Sequence, residues 1–325
     1  MRDQRRSRRT LLMVSPLATL AICLFLVDLP LFIESPGSAK PVLSLIDIDG
    51  TETYDSRGRL LLTTVNVGRS NAFDALRAWI DDDAELVPER ELIPPGQTDR
   101  EYDEVQFSLM DQSKIAAVAV ALRRLTDYPR EHRDGVIVHA VEPGTPADGR
   151  LFPGDLISEV DGEPLSDLTD LRRRIEEARG SPLSFSVGPL EGGRSRTVSI
   201  EPVTSGDGPI IGISALANFP FDVGIESGNI GGPSAGLVYA LGVADLLSPV
   251  DLTDGRVVAG TGTVGLDGTV GPIGAIDLKI VAAARAGADV FLLPRGNVPE
   301  ARRAGDMELV PVATVAEALE VLEER

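Results

Sequence analysis

The chain has 325 residues, 43% hydrophobic and 25% charged, a balance that supports packed domains and argues against a disordered polypeptide. Its formal net charge of −19 is uneven, because residues 1–10 hold five arginines against one aspartate and the remainder carries −23. An acidic body argues against nucleic acid, whose phosphates demand Lys and Arg. The single cysteine, Cys23, leaves no disulfide to form within the chain, and two histidines, His132 and His139, supply a metal site poorly.

At the N-terminus Arg5, Arg6, Arg8 and Arg9 precede an apolar run over residues 11–27, which resumes after Asp28 through residue 33. The 23 residues 11–33 are long enough for a helix across a bilayer of ~30 Å. Asp28 and Pro30 weaken the far end, so the span itself is expected over 11–27 with an interfacial tail. The arginines place residues 1–10 in the cytoplasm and the body outside the cell membrane. A cleaved signal peptide is the competing reading. Gly37-Ser38-Ala39 is a weak small-residue site, however, and the apolar run exceeds an ordinary signal core.

Residues 42–46 and 60–67 read as strands and 72–80 as a short helix. Residues 81–100 are acidic and Pro-rich, which predicts a long surface loop. Residues 105–125 show helical spacing and end in Arg123-Arg124. No catalytic arrangement stands out, and residues 34–130 are expected to be a mixed α/β spacer between membrane and body.

From Gly135 the order is strand, Glu142-Pro143-Gly144-Thr145-Pro146-Ala147, Pro153-Gly154-Asp155-Leu156-Ile157, Val160-Asp161-Gly162-Glu163-Pro164-Leu165, a helix over 168–178, and paired strands over 183–187 and 195–200. This resembles a bacterial PDZ domain over residues 131–203. The resemblance implies capture of an extended peptide, often a C-terminus, beside a sheet edge. The usual glycine-containing carboxylate loop is not evident ahead of Gly135, where residues 128–134 are charged. A PDZ-shaped spacer without a ligand is the plainer alternative, and His139, at the end of an apolar strand, reads as structural.

Beyond residue 204 the elements alternate. Strands are expected over 210–214 and 221–226, a helix over 237–247, a hairpin formed by 256–264 and 268–271, and a helix over 276–286. A strand over 290–293, a helix over 298–304, a strand over 308–312 and a helix over 315–324 follow, an α/β pattern. Ser234 lies on the turn Gly231-Gly232-Pro233-Ser234-Ala235-Gly236, at the mouth of the helix over 237–247. It reads either as a helix cap or as a hydroxyl held beside unsatisfied N–H groups that could stabilise an oxyanion. Lys279 has Ala275, Ile276, Ala282 and Ala283 at its helical neighbour positions. Among apolar groups an ammonium is disfavoured and its pKa falls toward that of a general base, although a lysine snorkelling over a core fits the same pattern.

A Ser-His-Asp triad needs a histidine, and none follows His139. Gly228-Asn229-Ile230-Gly231-Gly232-Pro233 resembles the nucleophile loop of chymotrypsin-type enzymes, but Ile230 fills the nucleophile position. A Ser-Lys dyad remains, requiring only an activated hydroxyl and a neutral amine.

Pro233-Ser234-Ala235-Gly236 and Gly271-Pro272-Ile273-Gly274-Ala275-Ile276-Asp277-Leu278-Lys279 resemble, in order, the two catalytic motifs of the Lon protease proteolytic domain, and residues 282–288 and 290–294 continue the likeness. The resemblance covers residues 204–325. It implies Ser234 as nucleophile, Lys279 as general base and acid, Thr261 near the lysine amine, and Gly232, Pro233, Ala235 and Gly236 as the nucleophile turn. An acidic residue often stands three before the serine in Lon enzymes, where this chain has Gly231. The whole arrangement is similar to the membrane-anchored PDZ–Lon proteins of bacteria (peptidase family S16).

The expected fold is therefore α+β: a cytoplasmic tail (1–10), a transmembrane helix (11–33), a spacer (34–130), a PDZ-like domain (131–203) and a Lon-type domain (204–325). No G-x-x-x-x-G-K-[ST] loop occurs, so no ATP, other cofactor or metal is expected. The expected partners are unfolded or flexible protein segments and, through the N-terminal helix, membrane lipid. Ring assembly is common among Lon-type domains, which admits a homo-oligomer. The reading from a different class is a non-catalytic peptide-binding membrane adaptor with a retained Lon-like shell.

Overall fold

The computed structural model describes residues 25–81, 83–206, 208–301 and 305–324. In the N-terminal part these form β1 (Asp28–Pro41), β2 (Ile46–Asp49), β3 (Arg59–Asn71), α1 (Ala72–Ala78), β4 (Glu85–Pro88) and α2 (Asp99–Leu125). The middle holds β5 (Val136–Val141), β6 (Asp155–Val160), α3 (Leu168–Ala178), β7 (Leu183–Pro189), β8 (Arg196–Ile200) and β9 (Ile213–Ala217). The C-terminal part holds β10 (Asp222–Ile225), α4 (Gly236–Leu247), β11 (Val257–Gly260), β12 (Thr263–Val264), β13 (Val270–Gly271), α5 (Ile276–Arg285), β14 (Val290–Pro294), β15 (Glu308–Val312) and α6 (Val315–Glu323).

The main sheet has the order β15-β14-β11-β3-β1-β4. β11 runs parallel to both β3 and β14, and β14 parallel to β15, whereas β1 is antiparallel to β3 and β4. Strands covered on both faces read as continuous apolar runs, and Leu60-Leu61-Leu62 is such a run, all three buried. Because side chains alternate across a strand, sequence parity sorts them. Leu61, Ala259, Phe291 and Leu293 pack with Ile276, Ile280 and Ala283 of α5 on one face. Leu60, Leu62, Val258 and Leu292 face α4, α2 and α6 on the other, through residues such as Leu237, Met110 and Leu319.

The middle part is a second body with its own core, in which Val136, Ile157, Phe185 and Val187 pack against Leu171 and Ile175 of α3. Its sheet runs β9-β5-β6-β7-β8. Asp155, 5% exposed, accepts from both terminal nitrogens of Arg196 at 2.9 and 2.6 Å, which offsets the cost of burying its charge. The two connections to the main body lie side by side. Tyr128 Oη donates to the Ala217 carbonyl at 2.8 Å, Arg133 Nε to Phe219 at 2.9 Å and Asn218 Nδ2 to Asp134 at 2.8 Å.

Several expectations are corrected. Residues 34–130 are not a separate spacer: β1, β3 and β4 belong to the main sheet, and α2 packs on α4. Of the span expected over 11–33, residues 11–24 lie outside the described residues, and residues 28–33 are strand, with Phe32 buried in the main sheet. Among the described residues no helix is long and apolar enough to cross a membrane. The loop expected over 81–100 contains β4 and the first two residues of α2, whose start is fixed by a capping box between Thr98 and Glu101. The second body extends beyond residue 203, because β9 pairs with β5. The expected hairpin over 256–271 reduces to β12 and β13, since β11 is taken into the main sheet. Of the helix expected over 298–304, residues 298–300 belong to a 3-10 segment, Arg295–Glu300, with Pro299 inside it, and 302–304 lie outside the described residues.

Candidate active site

Ser234 sits on a 3-10 turn, Pro233–Ala235, that leads directly into α4. The turn is gripped from both sides. From α2, the Gln106 carbonyl accepts from Gly232 N–H at 2.9 Å, and Ser113 Oγ donates to the Pro233 carbonyl at 2.8 Å. From the end of β11, the Ser234 carbonyl accepts from Gly262 N–H at 2.8 Å and from Thr261 Oγ1 at 3.0 Å. Gly232 adopts φ +86°, a conformation costly for any residue with a Cβ. At Gly236 a Cβ would stand 2.7 Å from Ser113 Oγ and 3.1 Å from Val264, so glycine permits the close crossing of α4 over α2.

Ser234 carries no cap hydrogen bond. Its Oγ instead lies 2.7 Å from Lys279 Nζ, and the same nitrogen donates to Thr261 Oγ1 at 3.2 Å. Lys279 is 6% exposed and Thr261 fully buried, while Ser234 is half-buried. Lys279 occupies the first turn of α5, whose preceding residue, Ala275, holds φ +53° in the left-handed region. Burial pushes the Lys279 amine down from 10.5 to about 8, opposed by the negative charge of Glu34 on β1. Glu34 in turn is held above the usual carboxylate range by its own burial and by Glu85, and pulled back by Lys279.

A cavity of about 690 Å³ opens in front of the pair. One wall is the turn 229–235 and the loop Pro272–Ala275, and the other comes from the N-terminal part: Glu34, Ser38 and Lys40 of β1, 62–67 of β3, and Tyr102, Gln106 and Met110 of α2. The loop is clamped by Asn297, 2% exposed, whose Oδ1 accepts from Ile273 N–H at 2.9 Å and whose Nδ2 donates to the Ile273 carbonyl at 2.9 Å. The structure thus brings Ser234, Lys279 and Thr261 together, with Gly232, Pro233, Ala235 and Gly236 shaping the turn. Glu34, Gln106, Ser113 and Asn297 were not singled out from sequence. His139 lies on β5 in the second body, and among the described residues neither histidine bonds to Ser234.

In the second body a groove of about 560 Å³ runs between the edge strand β9 and α3, lined by Ile211, Ile213, Ala215, Leu168, Leu171 and Ile175.

Residues 221–324 match the family model of the Lon protease (S16) C-terminal proteolytic domain, and residues 137–187 that of a PDZ domain. The chain joins a PDZ domain to a Lon-type proteolytic domain. It is 45% identical over 92 residues to a Lon protease of Frankia alni, covering 28% of this chain and 9% of that protein. Lon protease 2 of Bacillus subtilis is 36% identical over 106 residues, covering 32% and 18% respectively. The chain therefore spans less than a fifth of the length of these curated relatives. Among solved structures, the PDZ domain of an SdrC-like protein from Listeria innocua aligns at 30% identity over 25% of this chain and 93% of that one, with a TM-score of 0.23. The two matches begin at residues 137 and 221, so β1, β3 and α2, which form one wall of the cavity, lie outside both.

Proposed function

We propose that the chain is a serine endopeptidase of Lon type that uses a Ser234–Lys279 dyad, requires no ATP, and cleaves unfolded or flexible segments. In this reading residues 11–27 hold it in the cell membrane with its body outside. The observation that carries the proposal is the 2.7 Å contact between Ser234 Oγ and a buried amine whose pKa lies at about 8. At pH 7 about one such amine in ten is neutral, against about one in 3,000 at the ordinary lysine value. A neutral Lys279 takes the Ser234 proton as Oγ attacks the scissile carbonyl carbon. The first N–H groups of the turn, which lack intrahelical partners, stabilise the oxyanion. The resulting ammonium gives its proton to the leaving amine, and water then hydrolyses the acyl-enzyme with Lys279 again accepting a proton. Thr261 Oγ1 holds the amine on line. The PDZ groove presents an extended substrate segment along the free edge of β9.

The test is incubation of the full chain in detergent with an unfolded protein, without ATP, beside Ser234→Ala and Lys279→Ala. Cleavage by the unaltered chain alone is expected. Equal cleavage by all three overturns the dyad, and cleavage by none returns the non-catalytic adaptor.

A further inference from the structure

One surface has no role in the peptidase reading. α1 buries none of its residues. Phe73 and Leu76 fall at i and i+3 along it, on a single helix face, and Trp79 and Ile80 follow directly beyond its last residue, Trp79 as the C-cap. Trp79 is 84% exposed and Ile80 75%. Residues 25–27 extend the same surface. Phe25 stacks on Phe73 with ring centroids 4.5 Å apart, Leu26 is 76% exposed, and the Val27 carbonyl accepts from Ala72 N–H at 3.1 Å. Exposed apolar surface of this kind marks an interaction site.

We propose that this patch is a second membrane-contact surface, seated at the headgroup–acyl boundary of the bilayer, where tryptophan and phenylalanine are favoured. The proposal rests on the reading that residues 11–27 enter a bilayer. The argument for lipid over a protein partner is continuity. The apolar run 11–27 ends within the patch itself, and its last residues are tied to α1 by a ring stack and a backbone hydrogen bond, so α1 is carried wherever that run goes. The charges around it give no attraction to anionic headgroups. Arg77 is near Asp81 at 4.0 Å, and Asp74 is engaged in the N-terminal capping box of α1. Apolar burial therefore drives the contact, independent of anionic lipid. From Asp28 to Glu34, β1 extends about 20 Å, which sets the distance along the strand between the patch and the cavity wall.

Trp79 is the only tryptophan, so its emission reads the patch without a label. The full chain is reconstituted in phosphatidylcholine liposomes, with and without bromine on the acyl chains, and floated on a density gradient. The expected result is that the chain floats, brominated lipid quenches most Trp79 emission, and aqueous iodide quenches little. Leu76→Ser combined with Ile80→Ser should still float through residues 11–27 while losing most of the bromine quenching. A chain that floats but is quenched by iodide alone overturns the patch and leaves the anchor standing. Shielding from both quenchers also overturns it, in favour of a second copy covering the face. A chain that fails to float overturns both the anchor and the patch.

Discussion

Replacing Lys279 by methionine separates the cost of burying a charge from the value of the bonds it makes. The fall in pKa from 10.5 to about 8 means that protonated Lys279 destabilises the folded state by about 3 kcal/mol, at 1.36 kcal/mol per tenfold. Lys279→Met removes that cost with an unbranched side chain of similar length. It also removes the bonds to Ser234 Oγ and Thr261 Oγ1, worth about 1 kcal/mol each. Below pH 8 the variant should therefore be the more stable by about 1 kcal/mol. Between pH 8 and 10.5 the unfolded chain binds a proton that the folded chain does not, so the unaltered protein gains stability as pH rises. Above 10.5 the burial cost is gone and the variant should be the less stable by about 2 kcal/mol. Urea unfolding of both proteins at about pH 7 and about pH 10.5 measures the two differences, and ionisations common to both chains cancel. A stability difference that keeps one sign and size across this range would falsify the buried-amine argument.

Other consequences follow from single contacts. Glu34→Gln removes the charge that raises the Lys279 pKa, so the rise of kcat/KM with pH should move to below about 8; an unchanged or higher midpoint refutes the coupling. Thr261→Val takes away one hydrogen-bond partner of the amine and one donor to the Ser234 carbonyl, and kcat/KM should fall roughly tenfold, with peptide cleavage as the assay. Asn297→Ala leaves both backbone groups of Ile273 without their clamp and should cost about 2 kcal/mol by urea unfolding. Gly236→Ala forces α4 away from Ser113 and Val264, with an expected loss of roughly 1–3 kcal/mol and of cleavage activity.

The site was legible where its chemistry is local. Ser234 stands on a turn of glycine and proline, Lys279 on a helix whose neighbouring positions are apolar, and both features survive in the linear pattern. Glu34, Gln106 and Ser113 come from 121 to 200 residues before Ser234, and no spacing rule connects them to it. One signal could have placed the N-terminal part in the core. Leu60-Leu61-Leu62 has no polar alternate, as a strand covered on both faces requires, and a spacer at the surface would not need it. Thr98 and Glu101, a capping box in sequence, also marked the start of α2 within what read as a loop.

The placement of the PDZ domain has a mechanical consequence for the site. Because the main body is built from residues on both sides of it, α2 and the turn that carries Ser234 meet only when the chain returns from the second body through β9 and β10. The strand that borders the second body's groove, β9, ends at Ala217, whose carbonyl accepts from Tyr128 just beyond α2. Asn218 and Phe219 then bond back to residues 133 and 134, and β10 pairs with β2 before the chain reaches Ser234. The groove and Ser234 are thus joined by the 16 residues 218–233, and the other grip on that turn, α2, begins its link to the PDZ body at the same junction. This hydrogen-bonded connection sets the separation of β9 from the cavity at Ser234, so in the proposed peptidase a segment held on β9 would reach Ser234 at a defined distance.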